Sequence, residues 1–301
     1  MEYRKTEGEF PLLSKSAVTL GKFDGIHRGH QKLVERVLEQ KEKGLQAVLL
    51  AFDLPGKRIL AREERRRLLE KMGVDILLEC PLTDHFKHMS PETFAREILA
   101  DALHAACVVV GEDYRFGFQR KGTPGLLKKL GMEYGFQVEV LPKEMAMERK
   151  ISSSFIREEL KRGNMEKVTA LLGCDYFVEG EILHGRGLGH RMLLPTTNIR
   201  PPEDKLMPPN GVYITESHFE RGTYQGITNV GYKPTVGGTF MGVETYLFHC
   251  GEDLYGESCQ VDFKHFLRPE QRFSSLEALK SQLLRDAKSG EQYFRRKGGN
   301  P

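Results

Sequence analysis

No run of about eighteen apolar residues occurs in the 301 residues, so the sequence offers no membrane-spanning helix. The opening stretch, MEYRKTEGEFPLL, has no long apolar core and no small-residue cleavage site. No secretory leader is therefore expected, and a cytoplasmic location is. Cysteine is sparse. Cys80, Cys107, Cys174, Cys250 and Cys259 include no C-x-x-C pair, which argues against a zinc site and against a disulfide framework. An excess of one charge is missing as well: 45 Lys and Arg against 42 Asp and Glu leave a net +3. That slight basicity suits phosphorylated small molecules as well as it suits nothing in particular, and it falls far short of the concentrated basic stripe of a nucleic-acid binder. No internal repeat and no low-complexity segment interrupts the chain. Nothing in the composition speaks to the oligomeric state.

What is present is enough apolar residue for two cores, since 39% of the chain is hydrophobic and its length suits two domains of ~100–200 residues each. The first half alternates two hydrophobic periods. Continuous apolar runs occur at 17–20 (AVTL), 46–52 (QAVLLAF), 75–80 (DILLEC), 106–111 (ACVVVG) and 136–141 (FQVEVL), as expected of strands buried on both faces. Between them lie HQKLVERVLEQ, REERRRLLEKM, PETFAREILADAL and PGLLKKLGMEYG, all with helical spacing. Such strand–helix–strand repetition predicts an α/β domain with a parallel sheet and right-handed crossovers. Residues 151–173 predict two short helices, with Gly163 and Gly173 as their C-caps. Beyond them the runs are β-rich and split by Gly, Pro and Asn, which predicts a small antiparallel barrel closed by one helix, SLEALKSQLLRDAKS. The change of pattern divides the chain into 1–174 and 175–301, and the tail RRKGGNP is expected to be disordered.

Residues 21–30, GKFDGIHRGH, directly follow the first apolar run, so they belong at the carboxyl edge of the sheet, where such folds bind ligands. With a helix starting near Gly29, His27 and His30 lie at its N-terminus, where unpaired N–H groups favour anions. Gly21, Gly25 and Gly29 let a backbone come close. Together these make a cradle for a polyphosphate. A surface turn with two solvated histidines fits the same ten residues, and a metal would need a third ligand that the sequence does not offer.

The stretch GKFDGIHRGHQKLV resembles the signature of nucleotidylyltransferases that carry an HxGH motif. VVVGEDYRFGFQRKGT (108–123) and ISSSFIR (151–157) resemble later segments of the bacterial bifunctional riboflavin kinase/FAD synthetases, in that family's order and spacing. The resemblance covers nearly the whole chain. It implies a Rossmann-like nucleotidylyltransferase domain followed by a small antiparallel β-barrel with a terminal helix. For the first domain it implies adenylyl transfer from ATP to FMN, giving FAD and pyrophosphate. His27 and His30 would act on the ATP phosphates, with Gly21, Phe23, Asp24, Gly25, Ser152, Ser153, Ser154 and Arg157 at the nucleotide and Asp113 at the flavin. Plain N-capping by the serines and a solvated helix face for Arg157 are the alternatives. One departure is AFDLPGKR, where Leu54 and Gly56 stand in place of the family's proline and histidine; another is Lys22 in the first loop.

Residues 184–199, HGRGLGHRMLLPTTNI, resemble the riboflavin kinase segment of the same family, with Gly185, Gly187 and Gly189 as phosphate-wrapping glycines. Thr196 and Asn198 are two apart, so an extended strand points both to one face. Their oxygens suit Mg²⁺ carried with ATP. An unliganded Pro-Thr-Thr-Asn turn is the alternative. By the same resemblance Glu244 becomes the base that accepts the 5′-hydroxyl proton of riboflavin, and Arg268 in FLRPEQRF supports the flavin pocket; a strand glutamate between Val243 and Thr245 could equally face solvent. Here the departures are His190, Leu193, Leu194 and Thr197. The implied partners are riboflavin, FMN, FAD and ATP, with no nucleic acid and no membrane. A riboflavin kinase with a degenerate first half, a non-catalytic flavin or nucleotide regulator, and an adenylyltransferase for another phosphorylated substrate stay open as rival readings.

Overall fold

The computed structural model describes residues 1–6, 10–53, 55–146, 148–183, 196–235, 238–251 and 253–298. They form two compact units, Met1–Ser153 and Ser154–Pro301. In the first, strands β1 (Glu2–Lys5), β2 (Ser16–Gly21), β3 (Gln46–Asp53), β4 (Ile76–Pro81), β5 (Ala105–Gly111) and β6 (Gln137–Leu141) make one sheet in the order β1-β4-β3-β2-β5-β6. Every neighbouring pair is parallel. The connecting helices are α1 (Arg28–Glu39), α2 (Arg62–Met72), the short α3 (Asp84–His88), α4 (Pro91–Thr93, continuing as a π-wound stretch over Phe94–Ala102) and α5 (Pro124–Tyr134). The continuous apolar runs have a simple cause. Alternate residues serve opposite layers: Val18, Val48, Leu50, Val108 and Val110 face Phe94, Leu99 and Leu127, whereas Ala17, Ala47, Cys107 and Val109 face Val37 of α1.

All five expected strands and all four expected helices form, and α1 starts one residue earlier than Gly29. β1 was not expected. Its residues EYRK are polar and mostly exposed, because it is an edge strand whose support comes from parallel pairing with β4 rather than from burial. The strand order reverses at β2, which lies between β3 and β5. The chain leaves β2 into residues 22–27 and leaves β5 into residues 112–117, so both loops open at the switch point of the sheet. A small hairpin, β7 (Met145–Ala146) with β8 (Arg149–Lys150), follows β6.

The second unit begins one residue into α6 (Ser153–Lys161) and continues with α7 (Met165–Leu172). Gly163 and Gly173 sit at φ +75° and +80°, the left-handed conformation that ends a helix. The units divide at the start of α6, ahead of the change of pattern at 174/175, because α7 packs on strands of the second unit. Those strands are β9 (Tyr176–Glu181), β10 (Thr196–Ile199), β11 (Gly211–Phe219), β12 (Gly222–Thr235), β13 (Gly238–Leu247) and β14 (Ser258–Pro269). They form an antiparallel sheet in the order β10-β13-β12-β11-β14-β9. Just past β9, the Leu183 N–H donates to the Asn198 carbonyl at 2.8 Å, so the two outer edges meet and the sheet closes on itself. Tyr176, Tyr213, Val230, Val243, Val261 and Phe263 fill the interior. A chain of hydroxyls, Thr215–Thr228–Thr245, runs among them at 2.7 and 2.8 Å, each satisfied by the next.

The terminal helix α8 (Leu276–Gly298) is held by Arg268, whose guanidinium forks onto the buried carboxylate of Asp286 at 2.6–3.0 Å. Residues 295–298 of the tail are helical rather than disordered. Arg295, Arg296 and Lys297 occupy the last turn, where cations complement the helix dipole. Among the described residues no helix is long and apolar enough to cross a membrane.

Candidate active sites

The first site grows from the strained loop behind β2. Phe23 (φ +46°), Gly25 (φ +95°) and Ile26 (φ +42°) put three left-handed residues into four positions. For a β-branched residue such as Ile26 that conformation is an outlier, of the kind that persists only where the surroundings over-determine it. They do so here. Asp24 Oδ1 accepts the Ile59 N–H at 2.8 Å, Ser153 Oγ donates to the Asp24 carbonyl at 2.7 Å, and Gln31 Nε2 donates to the Ile26 carbonyl at 2.9 Å. Phe23 is fully buried, and a Cβ on Gly21 would meet its ring at 3.3 Å.

The loop delivers His27 as the N-cap of α1. Its Nδ1 accepts the His30 N–H at 3.3 Å, and the two imidazoles stack at 3.7 Å between centroids with 15° between planes. Since Nδ1 accepts, the neutral ring carries its proton on Nε2. His27 is 7% exposed. Burial pushes its pKa down to about 4, against the opposing pull of a backbone hydrogen bond and then of the nearby Asp24 carboxylate. Burial and then the neighbouring His27 hold His30 well below the ordinary imidazole range. The His30 Nδ1 is shielded from solvent and has no hydrogen-bond partner among the described residues. The pair therefore presents two neutral, stacked rings at a helix N-terminus, and one ring nitrogen, the His30 Nδ1, has no partner among the described residues.

Of the other expected residues, Asp113 lies on the exposed turn after β5 and pairs with Lys143 at 2.6 Å. Ser152 precedes α6, Ser153 opens it, and Ser154 and Arg157 follow along it in the second unit. The connection from β3 to α2 holds a feature that the sequence concealed. Arg58 and Arg62 both pair with Asp53, Arg65 pairs with Glu79, and Tyr3 donates to Glu79 at 2.8 Å. Arg58, Arg65 and Glu79 are buried. Burial and the neighbouring Arg58 push the Arg65 guanidinium down to about 10. Directly after AFDLPGKR, the Ile59 N–H ties the connection to Asp24, while Arg58 turns to Asp53; Leu54 lies outside the described residues.

The second site lies on the outer face of the barrel. Along β10, Thr197 and Ile199 point into the interior, while Thr196 and Asn198 share the half-buried outer face. β13 pairs antiparallel with β10, bringing Glu244 directly opposite Asn198, and β12 brings Asn229 opposite Glu244. Glu244 thus faces the two expected metal ligands, between the buried Val243 and Thr245. Thr196 Oγ1 donates to Glu244 Oε1 at 3.1 Å. Lys233, which sequence reasoning missed, completes the group. Its Nζ donates to Asn198 Oδ1 at 3.1 Å and forms an ion pair with Glu244 Oε2. The glycines 185, 187 and 189, with His190, Leu193 and Leu194, lie outside the described residues. Arg268 is committed to Asp286 and to the Pro269 carbonyl.

Two family descriptions match the chain: FAD synthetase over residues 10–155 and riboflavin kinase over residues 172–294. The gap between the matches contains most of α6 and α7. The chain is 32% identical to the bifunctional riboflavin kinase/FMN adenylyltransferase of Escherichia coli K12, with 92% of each chain covered. It is 32% identical to that of Listeria monocytogenes, covering 96% of this chain and 95% of the relative, and 36% identical to that of Buchnera aphidicola, covering 93% and 94%. Among solved structures, a Streptococcus pneumoniae protein described as a macrolide-efflux protein shares the fold at a TM-score of 0.82 and 29% identity, over 95% of this chain and 97% of that one.

Proposed function

The chain belongs to the bifunctional riboflavin kinase/FMN adenylyltransferase family, and from that premise we propose how its residues divide two reactions. It phosphorylates riboflavin to FMN with ATP and adenylylates FMN to FAD with release of pyrophosphate. Residues 1–174 carry the adenylylation and 175–301 the phosphorylation. Both proceed in the cytoplasm.

In adenylylation a phosphate oxygen of FMN attacks the α-phosphorus of ATP, the bond from that phosphorus to the β-bridging oxygen breaks, and pyrophosphate leaves. No protein nucleophile is required, so positioning and charge stabilisation carry the rate. His27 and His30 donate ring N–H groups to the phosphates as charge builds there, and the unpaired amides at the start of α1 add to them. Gly21, Phe23, Asp24 and Gly25 shape the floor beneath the nucleotide. Ser152, Ser153, Ser154 and Arg157 bind it from the start of α6, and Asp113 contacts the flavin. The observation that carries this half is the stacked, buried imidazole pair on an over-determined strained loop, with the His30 Nδ1 unpartnered among the described residues.

In phosphorylation, Glu244 accepts the proton of the riboflavin 5′-hydroxyl as that oxygen attacks the γ-phosphorus, and ADP departs. The three oxygen side chains Thr196, Asn198 and Glu244 converge on one face, a hard donor set that fits Mg²⁺. Thr196 and Asn198 would hold the ion, which supplies charge neutralisation on the ATP phosphates. The glycines 185, 187 and 189 wrap those phosphates. Arg268 keeps α8 in place beside the flavin pocket.

Incubating the purified chain with riboflavin, ATP and Mg²⁺ and separating the flavins by chromatography tests the whole assignment. FMN should appear first and FAD after it. FMN alone, even with FMN supplied at the start, would leave a kinase with a degenerate first half; no conversion would leave a binding protein.

A further inference from the structure

Lys233 occupies an unusual place. It lies on β12, 35 positions along the chain from Asn198, and only the strand register brings them together. β12 pairs with β13 so that Gly231 faces Gly242, and Lys233 is two residues further along the same outer face. A Cβ on Gly242 would stand 2.9 Å from both Cδ and Cε of Lys233. The bare backbone at Gly242 is therefore the bed on which the aliphatic stem lies. That bed directs the ammonium past its own register position to Glu244 and Asn198. The side chain is 24% exposed, so the ammonium is half withdrawn from water and bound to two fixed acceptors.

Those acceptors are groups assigned above to the reaction. Asn198 is a proposed metal ligand and Glu244 the proposed base. A lysine at that point does two things. It fixes the Glu244 carboxylate and the Asn198 oxygen in the site before any nucleotide arrives. It also holds an oxygen that a divalent cation requires, and two cations sharing one carboxamide oxygen repel strongly at that range. Resting on the reading of Thr196, Asn198 and Glu244 as the kinase site, we infer that Lys233 is a resident cation of that site. It aims Glu244 for proton transfer and competes with the metal for Asn198, giving up the Asn198 bond, and keeping Glu244, when the nucleotide's metal enters. Lys233 is a positioning residue; it transfers no proton and touches no reacting atom.

The split between binding and turnover tests this. Full-length wild type, K233M and K233R are titrated calorimetrically with Mn²⁺–ADP, the first unit's share being common to all three, and kcat for riboflavin phosphorylation is measured alongside. K233M keeps the stem and loses the charge. It should bind Mn²⁺–ADP about fivefold more tightly, because the Asn198 oxygen is released, while its kcat falls about tenfold. K233R should keep kcat within about threefold of wild type. FAD formation from supplied FMN should be unchanged in K233M, and its urea unfolding should keep the transition of the second unit, showing that the barrel is folded. Parallel loss of binding and turnover, no change in either, or a change in only one would each overturn the inference, as would equal losses of kcat in K233R and K233M. E244Q separates this failure from failure of the site itself: an E244Q chain that phosphorylates riboflavin normally would refute the site, whereas an inactive E244Q beside a normal K233M would refute only the role of Lys233.

Discussion

The two units assemble their polar groups in opposite ways. In the first, the loop and helix start from Gly21 to His30 supply everything at the imidazole pair, and strain in that one stretch is held by three hydrogen bonds from elsewhere. In the second, Thr196, Asn198, Lys233 and Glu244 come from three strands, and no two of them are close enough in sequence to act together except the first pair. A site made by one turn depends on local conformation. A site made by register depends on the whole sheet, because a one-residue slip would send each of these side chains to the barrel interior.

The largest expected effects test whether the sites are independent. His27→Asn keeps a good N-cap while removing the ring. It should lower FAD formation by roughly 10²–10³-fold, the scale of losing a positioned transition-state donor, and leave FMN formation within twofold. Glu244→Gln should lower FMN formation by roughly 10²–10⁴-fold and spare FAD formation from supplied FMN. Separate product assays decide; loss of both activities in either folded variant would show one coupled site.

A smaller effect comes from acid. The folded His27 titrates near 4 and the unfolded one near 6.5, so between these values the unfolded chain binds the proton and the native chain does not. The stability held by the neutral ring is complete above 6.5 and drains as pH falls toward 4. By pH 5 the loss should reach about 2 kcal/mol. Urea midpoints at pH 7 and pH 5, compared between wild type and His27→Asn, measure it: the variant should lose less by about that amount, and an equal loss would mean that the ring is solvated. The smallest effect concerns the loop itself. Gly25→Ala forces a Cβ onto a residue at φ +95° and against Ile59 at 3.1 Å. It should cost about 1–2 kcal/mol in thermal or urea unfolding of the first unit and leave riboflavin phosphorylation intact.

Much of this architecture was legible. Buried parallel strands announce themselves as unbroken apolar runs, and the ends of α5, α6 and α7 are marked by glycines. GKFDGIHRGH could be placed because it is contiguous and follows a strand. Three features could not be read. β1 is a polar edge strand, and EYRK carries no hydrophobic period. The run REERRR looks like a solvated helix face, yet Glu64 and Arg65 are buried and Arg65 meets a glutamate of the next strand. Lys233 lies in NVGYKPTVGG, where nothing local distinguishes it. Its partners become neighbours only through the pairing of β10 with β13 and of β13 with β12. The signal was there in a weaker form: a glycine two residues before Glu244 leaves room for a long side chain from the adjacent strand.

Asn198 belongs to two circuits at once. Its carboxamide faces Lys233 and Glu244, while its carbonyl takes the Leu183 N–H that joins the first strand of the barrel to the outermost one. A ligand held by that side chain stabilises the closed form of the residue that carries the seam, so nucleotide uptake is expected to add to the protection of the barrel's closure. Hydrogen exchange at the Leu183 amide would then serve as a gauge of occupancy without any chemistry taking place.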